Sequence, residues 1–435
     1  MENRTGVEAA QVENLAKMIH EAKAASLWWT MGVNQSHQGV RTAQAIINIA
    51  LMTGNIGRPG TGPNSITGQA NAMGSRLFSN TTSLFAGYDF LKAEDRQTMA
   101  RLLDIDPSCI PDKNSLPYHK ILEGIRDGQI KGLWVVATNP AHSWIDSNSL
   151  DEVFGKLDFL VVQDLFTTTD TARFADLILP AAGSGEKTGV FINSERRLGI
   201  VDKIIEAPED VRSDFEILKL IAKAWGCDEM FSKWTDPEAV FGILRDISAG
   251  RPCDFTGVSG YQMLRESGGI QWPFPKGSTP LDIERRLFSD GSFYTKDGKA
   301  QFLFTEPTDT PELVNDEYPI ALLTGRGTVV QFHTQTRTGK VEMLNKLSPD
   351  KCYVELNPLD ASKLGLASGD TVKVSSRRGT VEVSCVISES LVQGQAFMPM
   401  HYEETNKLTF PAFDPYSSQP AYKHAAIKIT ALEST

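Results

Sequence analysis

The sequence predicts an α/β fold: Rossmann-like layered domains built on a parallel sheet, followed by a C-terminal β-barrel. Two observations carry this reading. The runs Gly132-Leu133-Trp134-Val135-Val136-Ala137, Phe159-Leu160-Val161-Val162 and Leu177-Ile178-Leu179-Pro180 are nearly continuous in apolar residues. Such strands, separated by helical segments, imply a parallel sheet covered on both faces. Farther on, Thr371-Val372-Lys373-Val374-Ser375 and residues 379–387 alternate at period two. Short alternating strands with turn residues between them point to a closed barrel.

Taken in order, Thr5-Gly6-Val7-Glu8 has capping-box spacing, and Val12, Leu15, Ala16 and Ile19 then share one helical face. Ser26-Leu27-Trp28-Trp29-Thr30-Met31 reads as a buried strand leading into a polar loop, 32–39. A helix follows with Ala43, Ile46, Ile47, Ala50 and Leu51 aligned and Gly54 just beyond its end. This strand–loop–helix unit presents Gln35 and His37 at a strand's carboxyl end, where α/β proteins place ligands; an ordinary connection with hydrogen-bonded loop residues is the competing reading. Residues 57–76 form a long Gly-rich stretch expected to press against a ligand or a neighbouring domain.

Right-handed crossovers align the carboxyl ends of the central strands, so Asn139 and Asp164 are expected on one rim. The Asp164 carboxylate is suited to two parallel N–H groups, as on guanine, or to ribose hydroxyls; helix capping is its alternative. The Gly/Ser loop 183–197 lacks Walker spacing, and its Lys187 is either a phosphate contact or a solvated charge. Ser213-Asp214-Phe215-Glu216 is a second capping box, with Leu218, Ile221, Ala222 and Trp225 as the buried face of its helix. Residues 226–310 read as an irregular connector without chemistry. The strand Pro319-Ile320-Ala321-Leu322-Leu323 then opens into a loop, 324–339, rich in Thr, Gly and Arg. Its hydroxyls, guanidinium forks and glycine N–H groups suit a large anionic ligand, against the alternative of a polar surface loop.

With 435 residues the chain exceeds one ordinary core. We read four segments: 1–60, the end of an α/β domain; 61–230, an α/β dinucleotide-binding domain; 231–310, the connector; and 311–435, the barrel. A net charge of −11 argues against binding a nucleic-acid backbone. No apolar run is long enough to span a bilayer. Five scattered cysteines without a CxxC pair fit reduced thiols and a cytoplasmic setting, and offer no metal site.

Several ordered motifs together resemble one family, the molybdopterin guanine dinucleotide oxidoreductases, which include DMSO reductase, formate dehydrogenases and nitrate reductases. They are Met31-Gly32-Val33-Asn34-Gln35, residues 53–60, Thr138-Asn139-Pro140, residues 175–180, Glu186-Lys187-Thr188-Gly189, residues 193–197, Thr324-Gly325-Arg326, residues 376–379 and residues 406–409. Asn34-Gln35 and residues 68–74 look most like the assimilatory nitrate reductase branch. The resemblance implies a double-psi type of barrel and a bis-molybdopterin guanine dinucleotide (bis-MGD) cofactor carrying molybdenum. Its contacts would be Met31, Gln35, Asn139, Gln163, Asp164, Lys187, Asp214, the loop 324–334 with Thr324, Gly325, Arg326, His333 and Thr334, and Met400, Asn406 and Lys423. Family members begin with an iron–sulfur cysteine cluster and a region that ligates molybdenum, and no cysteine here matches either role. The expectation is therefore the C-terminal portion of a larger subunit, inactive alone, whose missing region holds a 4Fe-4S cluster. That subunit would reduce nitrate, or oxidise formate, with an electron-donor protein; a non-catalytic nucleotide- or partner-binding module is the third reading.

Overall fold

Three strands organise the middle of the chain. β1 (Gly132–Val136), β2 (Phe159–Asp164) and β3 (Leu177–Pro180) lie side by side in that order in the computed structural model. Residues 2–279, 284–328 and 330–432 are described; Val329, inside the loop expected to hold a ligand, lies outside them. β1 and β2 run parallel with Val136 opposite Gln163, so residues 139 and 164 leave the same edge. A parallel pair needs a crossover, supplied by the short helices Pro140–Ser143 and Leu150–Phe154. Val135, Leu160 and Val162 are buried, whereas Phe159 and Val136, at the strand ends, stay about half-exposed. Coverage is thus less complete than the apolar runs imply.

The described residues divide into two compact units, one from 1–28, 50–116 and 179–300, the other from 29–49, 117–178 and 301–435. The second contains β1, β2 and a closed six-strand barrel. Its strands are β4 (Ile320–Gly325), β5 (Tyr353–Leu356), β6 (Thr371–Ser375), β7 (Thr380–Ile387), β8 (Gln395–Pro399) and β9 (Ala425–Ala431), in the order β4-β8-β5-β7-β6-β9. β4 pairs parallel with β8 and β5 with β7; β9 closes the ring antiparallel to β4. The period-two reading holds: β4 alternates buried and half-buried residues along its whole length. Leu322, Val354, Leu356, Val372, Val374, Cys385 and Met398 fill the interior. Leu322 is fully buried, so Leu322→Ala is expected to cost about 2–5 kcal/mol in urea unfolding.

In the first unit several local expectations fail. The helix Ala9–Glu21 buries none of its residues, and its N-cap is Glu8 without a side-chain bond. The Thr5 hydroxyl accepts the Val7 N–H at 3.2 Å instead of capping that helix. The strand Ser26–Trp29 is not buried: Trp28 is 70% exposed. Residues 57–76 contain the strand Gly62–Ser65 and the start of the helix Ala72–Leu77. The Ser213 capping box does form on the helix Asp214–Ala224, but Ile217 and Ala222 are its buried residues while Leu218 and Trp225 face solvent.

The largest correction concerns residues 226–310. They hold the helices Pro237–Ile247 and Tyr261–Ser267 and much of a hydrophobic core, with Phe241, Phe255, Tyr261, Leu264, Ile270 and Phe274 packed on Ile192 and Leu198. Among the described residues no helix is long and apolar enough to cross a membrane. All five cysteines are free thiols; Cys253, Cys352 and Cys385 are buried and Cys109 is exposed.

Candidate functional site

Barrel topology brings three chain ends together. Parallel pairing sets Thr324 of β4 opposite Met398 of β8 and Gly325 opposite Pro399, so the loops leaving both strands start side by side. β9 enters antiparallel, with Ala425 opposite Leu322, which delivers Tyr422 and Lys423 to the same edge. The Thr324 hydroxyl donates to the Tyr422 carbonyl at 2.8 Å, and Lys423 Nζ donates to the Thr324 carbonyl at 3.2 Å.

A cavity of about 140 Å³ lies here, lined by Gln35, Ser143, Thr324, His333, Thr334, Met400, Asn406, Gln419, Tyr422 and Lys423. The Asn406 amide donates to the His142 carbonyl at 2.9 Å, and the Tyr422 hydroxyl donates to the Ser143 carbonyl at 2.8 Å. Both bonds anchor the barrel loops to the segment that follows β1. Burial pushes the Lys423 ammonium down to about 8. No carboxylate pairs with it among the described salt bridges, so it is a half-buried cation open to an anion.

The loop after β4 is held from within. Gln331 is 1% exposed; its amide donates to the Tyr402 hydroxyl at 2.9 Å, and its carbonyl accepts from Arg326 at 3.1 Å. Gly327 is required there, since a Cβ would come within 2.8 Å of the Pro399 side chain. His333 has a φ of 45°, a left-handed backbone unusual for a side chain-bearing residue. Its carbonyl accepts the Nδ1–H of His401 at 2.7 Å.

The rim of β1 and β2 behaves differently. Asn139 is buried and committed to structure: its carbonyl oxygen accepts from the Thr171 N–H and hydroxyl at 3.0 and 2.8 Å, and its NH₂ donates to Asp170 at 3.1 Å. Asp170 also accepts His142 Nδ1–H at 2.9 Å and Arg173 at 3.1 Å. The His142 bond, outweighing burial and aided by Asn139 and Arg173, holds the carboxyl down near about 2. Gln163 and Asp164 are nearly buried at the end of β2, where Asp164 accepts the Phe166 N–H at 3.3 Å.

Of the residues expected from sequence, Gln35, Thr324, His333, Thr334, Met400, Asn406 and Lys423 share the cavity. Gly325 and Arg326 form the stem of its loop, while Met31 is 45% exposed and does not line it. Asn139, Gln163 and Asp164 stay on the strand rim. Lys187 and Asp214 belong to the other unit, where Lys187 Nζ donates to Asp214 Oδ2 and both line a cleft with Lys203 and Arg212. Sequence reasoning missed Ser143, Tyr422, His142, Asp170 and His401. His142 lies just beyond the Thr138-Asn139-Pro140 motif, the one local signal available.

A cavity of this size takes only a part of a dinucleotide, on the scale of its phosphates. Polar side chains and a half-buried cation without a carboxylate among the described salt bridges fit a polyanionic organic cofactor there.

Comparison with known families agrees. The family described as "Molybdopterin oxidoreductase" matches residues 7–224, and "Molydopterin dinucleotide binding domain" matches residues 320–426. A protein named "Nitrate reductase" from Synechocystis sp. is 36% identical over 98% of this chain and 60% of its own length. An "F420-dependent formate dehydrogenase 1 subunit alpha" from Methanococcus maripaludis is 34% identical over 98% of this chain and 61% of its own. The chain thus spans about 60% of the length of these curated relatives. Acetylene hydratase from Pelobacter acetylenicus shares the fold, with a TM-score of 0.69 over 99% of this chain and 64% of its own at 16% identity. By the extent of the first match and the order of the two, the chain belongs to the molybdopterin oxidoreductase (DMSO reductase) family.

Proposed function

We propose that this chain is the cofactor-binding portion of a molybdenum enzyme that reduces nitrate to nitrite. The observation that carries the reading is Lys423: a half-buried ammonium at the mouth of the barrel, without a carboxylate among the described salt bridges and set in a cavity lined by polar side chains. Nitrate is favoured over other substrates by the 36% identity to a nitrate reductase. The 34% identity to a formate dehydrogenase makes formate oxidation the second reading.

When bound, a bis-MGD cofactor supplies two-electron chemistry at molybdenum. This chain's residues then bind and orient it. Lys423 and the second amide hydrogen of Asn406 would hold phosphate oxygens, with Thr324, Gln35, Thr334 and Met400 closing around them. Gln163 and Asp164 accept guanine N–H groups or ribose hydroxyls. Gly325, Arg326 and His333 shape the loop against the pterin or pyrophosphate. Lys187 and Asp214 would add contacts from their own unit, and Met31 and Asn139 would complete the set, Asn139 by fixing its rim.

The same proposal assigns the segments 1–60, 61–230 and 311–435 to an α/β end, an α/β cofactor domain and a double-psi barrel, with 231–310 packed into the core of the second. Two parallel pairs among antiparallel ones support that barrel type. The 4Fe-4S cluster and molybdenum ligand belong to the portion of the relatives this chain does not span, with an electron-donor protein beyond it, in the cytoplasm.

The test is an assay with reduced viologen and nitrate, and with oxidised viologen and formate. The chain combined with the region its relatives carry in addition is expected to consume nitrate and not formate, and the chain alone neither. Turnover by the purified chain would refute the division of labour; formate oxidation alone would select the second reading.

A further inference from the structure

We propose that the cavity takes up a proton when it binds a pyrophosphate-bearing ligand, with the buried imidazole of His401 as the group that receives it. This rests on the cofactor-binding reading above and adds the charge state of the site.

Both rings are built alike. His142 is 7% and His401 0% exposed. In each, Nδ1 is engaged with a group that only accepts: the Asp170 carboxylate at 2.9 Å and the His333 carbonyl at 2.7 Å. Each Nδ1 therefore carries its hydrogen, and in the neutral ring Nε2 is a bare acceptor. Each Nε2 is buried and has no hydrogen-bond partner. A proton added there in the ligand-free site would create a buried N–H without an acceptor, which is costly.

Neighbouring charges reinforce this. His401 is held below the ordinary histidine value by burial, opposed by its bond to His333 and aided by Arg326 and His142. His333, an exposed residue, is lowered too, first by partial desolvation of its ring and then by His142, His401 and Arg326. Asp170, itself shared with Asn139 and Arg173, is the carboxylate bonded to the cluster. The set is electropositive, and it sits one bond behind the cavity wall. His142 accepts from Asn406 through its carbonyl, His401 braces His333, and both Asn406 and His333 line the cavity with Lys423. An anion arriving there offsets the repulsion from Arg326 and favours the protonated His401 ring. The step balances simply: a buffer acid gives its proton to His401 Nε2, one N–H bond forms, and the site's charge rises by one.

The experiment is isothermal titration calorimetry of the chain with GDP-mannose at pH 7 in buffers of different ionisation enthalpy. Its pyrophosphate diester does not titrate near neutrality, so any proton exchanged belongs to the protein. Uptake of roughly one proton per ligand is expected, with affinity falling as pH rises from 6 to 8. His401→Gln should lower the uptake and flatten that slope. Histidine-labelled NMR should show the His401 imidazole, assigned by that variant, titrating at higher pH once ligand is bound. Binding with zero proton uptake and an unshifted His401 overturns this inference and leaves the cofactor reading intact. Absence of any GDP-mannose binding overturns both.

Discussion

Lys423→Met is expected to stabilise the ligand-free chain at pH 7 by about 2–3 kcal/mol while weakening pyrophosphate binding by about 100-fold or more. The ammonium is half-buried, bonded among the described residues only to the Thr324 carbonyl, and lowered to about 8 by its loss of solvent. Its folded value lies below its unfolded value of 10.5, so the folded state gives up the proton first. The cost of burying the charge is therefore present in full below pH 8 and disappears as pH rises through 10.5. Methionine keeps a similar length and removes that cost. Thermal melts at pH 7 and pH 10 should show the variant ahead at the lower pH and nearly level at the higher. Equal destabilisation at both values would mean that the lysine serves packing rather than a ligand. A residue that costs stability until an anion arrives is what a binding site looks like when read energetically.

The barrel was legible because its code is local. Thr371–Ser375 and Thr380–Ile387 alternate at period two, and the structure buries the apolar set. The loop after β4 was legible for a similar reason, since a strand ending in Thr, Gly and Arg needs something for its donors. What could not be read was made by distant chain. Ser143 joins the cavity through its wall and a backbone carbonyl, and Tyr422 reaches that carbonyl across 279 positions. No side-chain pattern encodes such a contact. Asn139 was found for its motif, yet its side chain is spent on Thr171 and Asp170, so its effect on a ligand is indirect. Residues 226–310 misled because their aromatics carry little helical period. Their order comes from packing on Ile192 and Leu198, which tertiary structure supplies. Trp28 and the helix Ala9–Glu21 erred the other way, with apolar residues read as core that stand in solvent.

Glu312→Ala is expected to destabilise the second unit by about 3–5 kcal/mol, because it strips a buried charge network of its centre. The Glu312 side chain is 5% exposed. It accepts from Arg378 through two bonds of 2.7 and 2.8 Å, from Arg377 at 3.0 Å and from the Ala426 N–H at 2.8 Å. Burial alone would raise its carboxyl, but the Arg378 bonds and the Ala426 N–H prevail and hold it low. The sign follows: its stabilisation is complete above the unfolded carboxyl value and is lost as pH falls through the lower folded one. Urea unfolding should therefore show the gap between wild type and variant closing in acid. Replacing the pair together, Glu312→Leu with Arg378→Met, should recover part of the loss, since it leaves no deeply buried charge, Arg377 being 37% exposed, while the Ala426 N–H loses its acceptor. A deficit as deep in the double variant would show that shape, not charge, is what matters. The network also reaches the ligand cavity. The Glu312 carbonyl is hydrogen-bonded to His424 Nε2 at 2.8 Å, next to Lys423, while Ala426 lies in the strand that delivers that lysine. Loss of Glu312 should thus weaken pyrophosphate binding as well as folding, with the double variant restoring part of each. Restored stability without restored binding would place the carboxylate's influence on Lys423 in its charge rather than in the anchoring of β9.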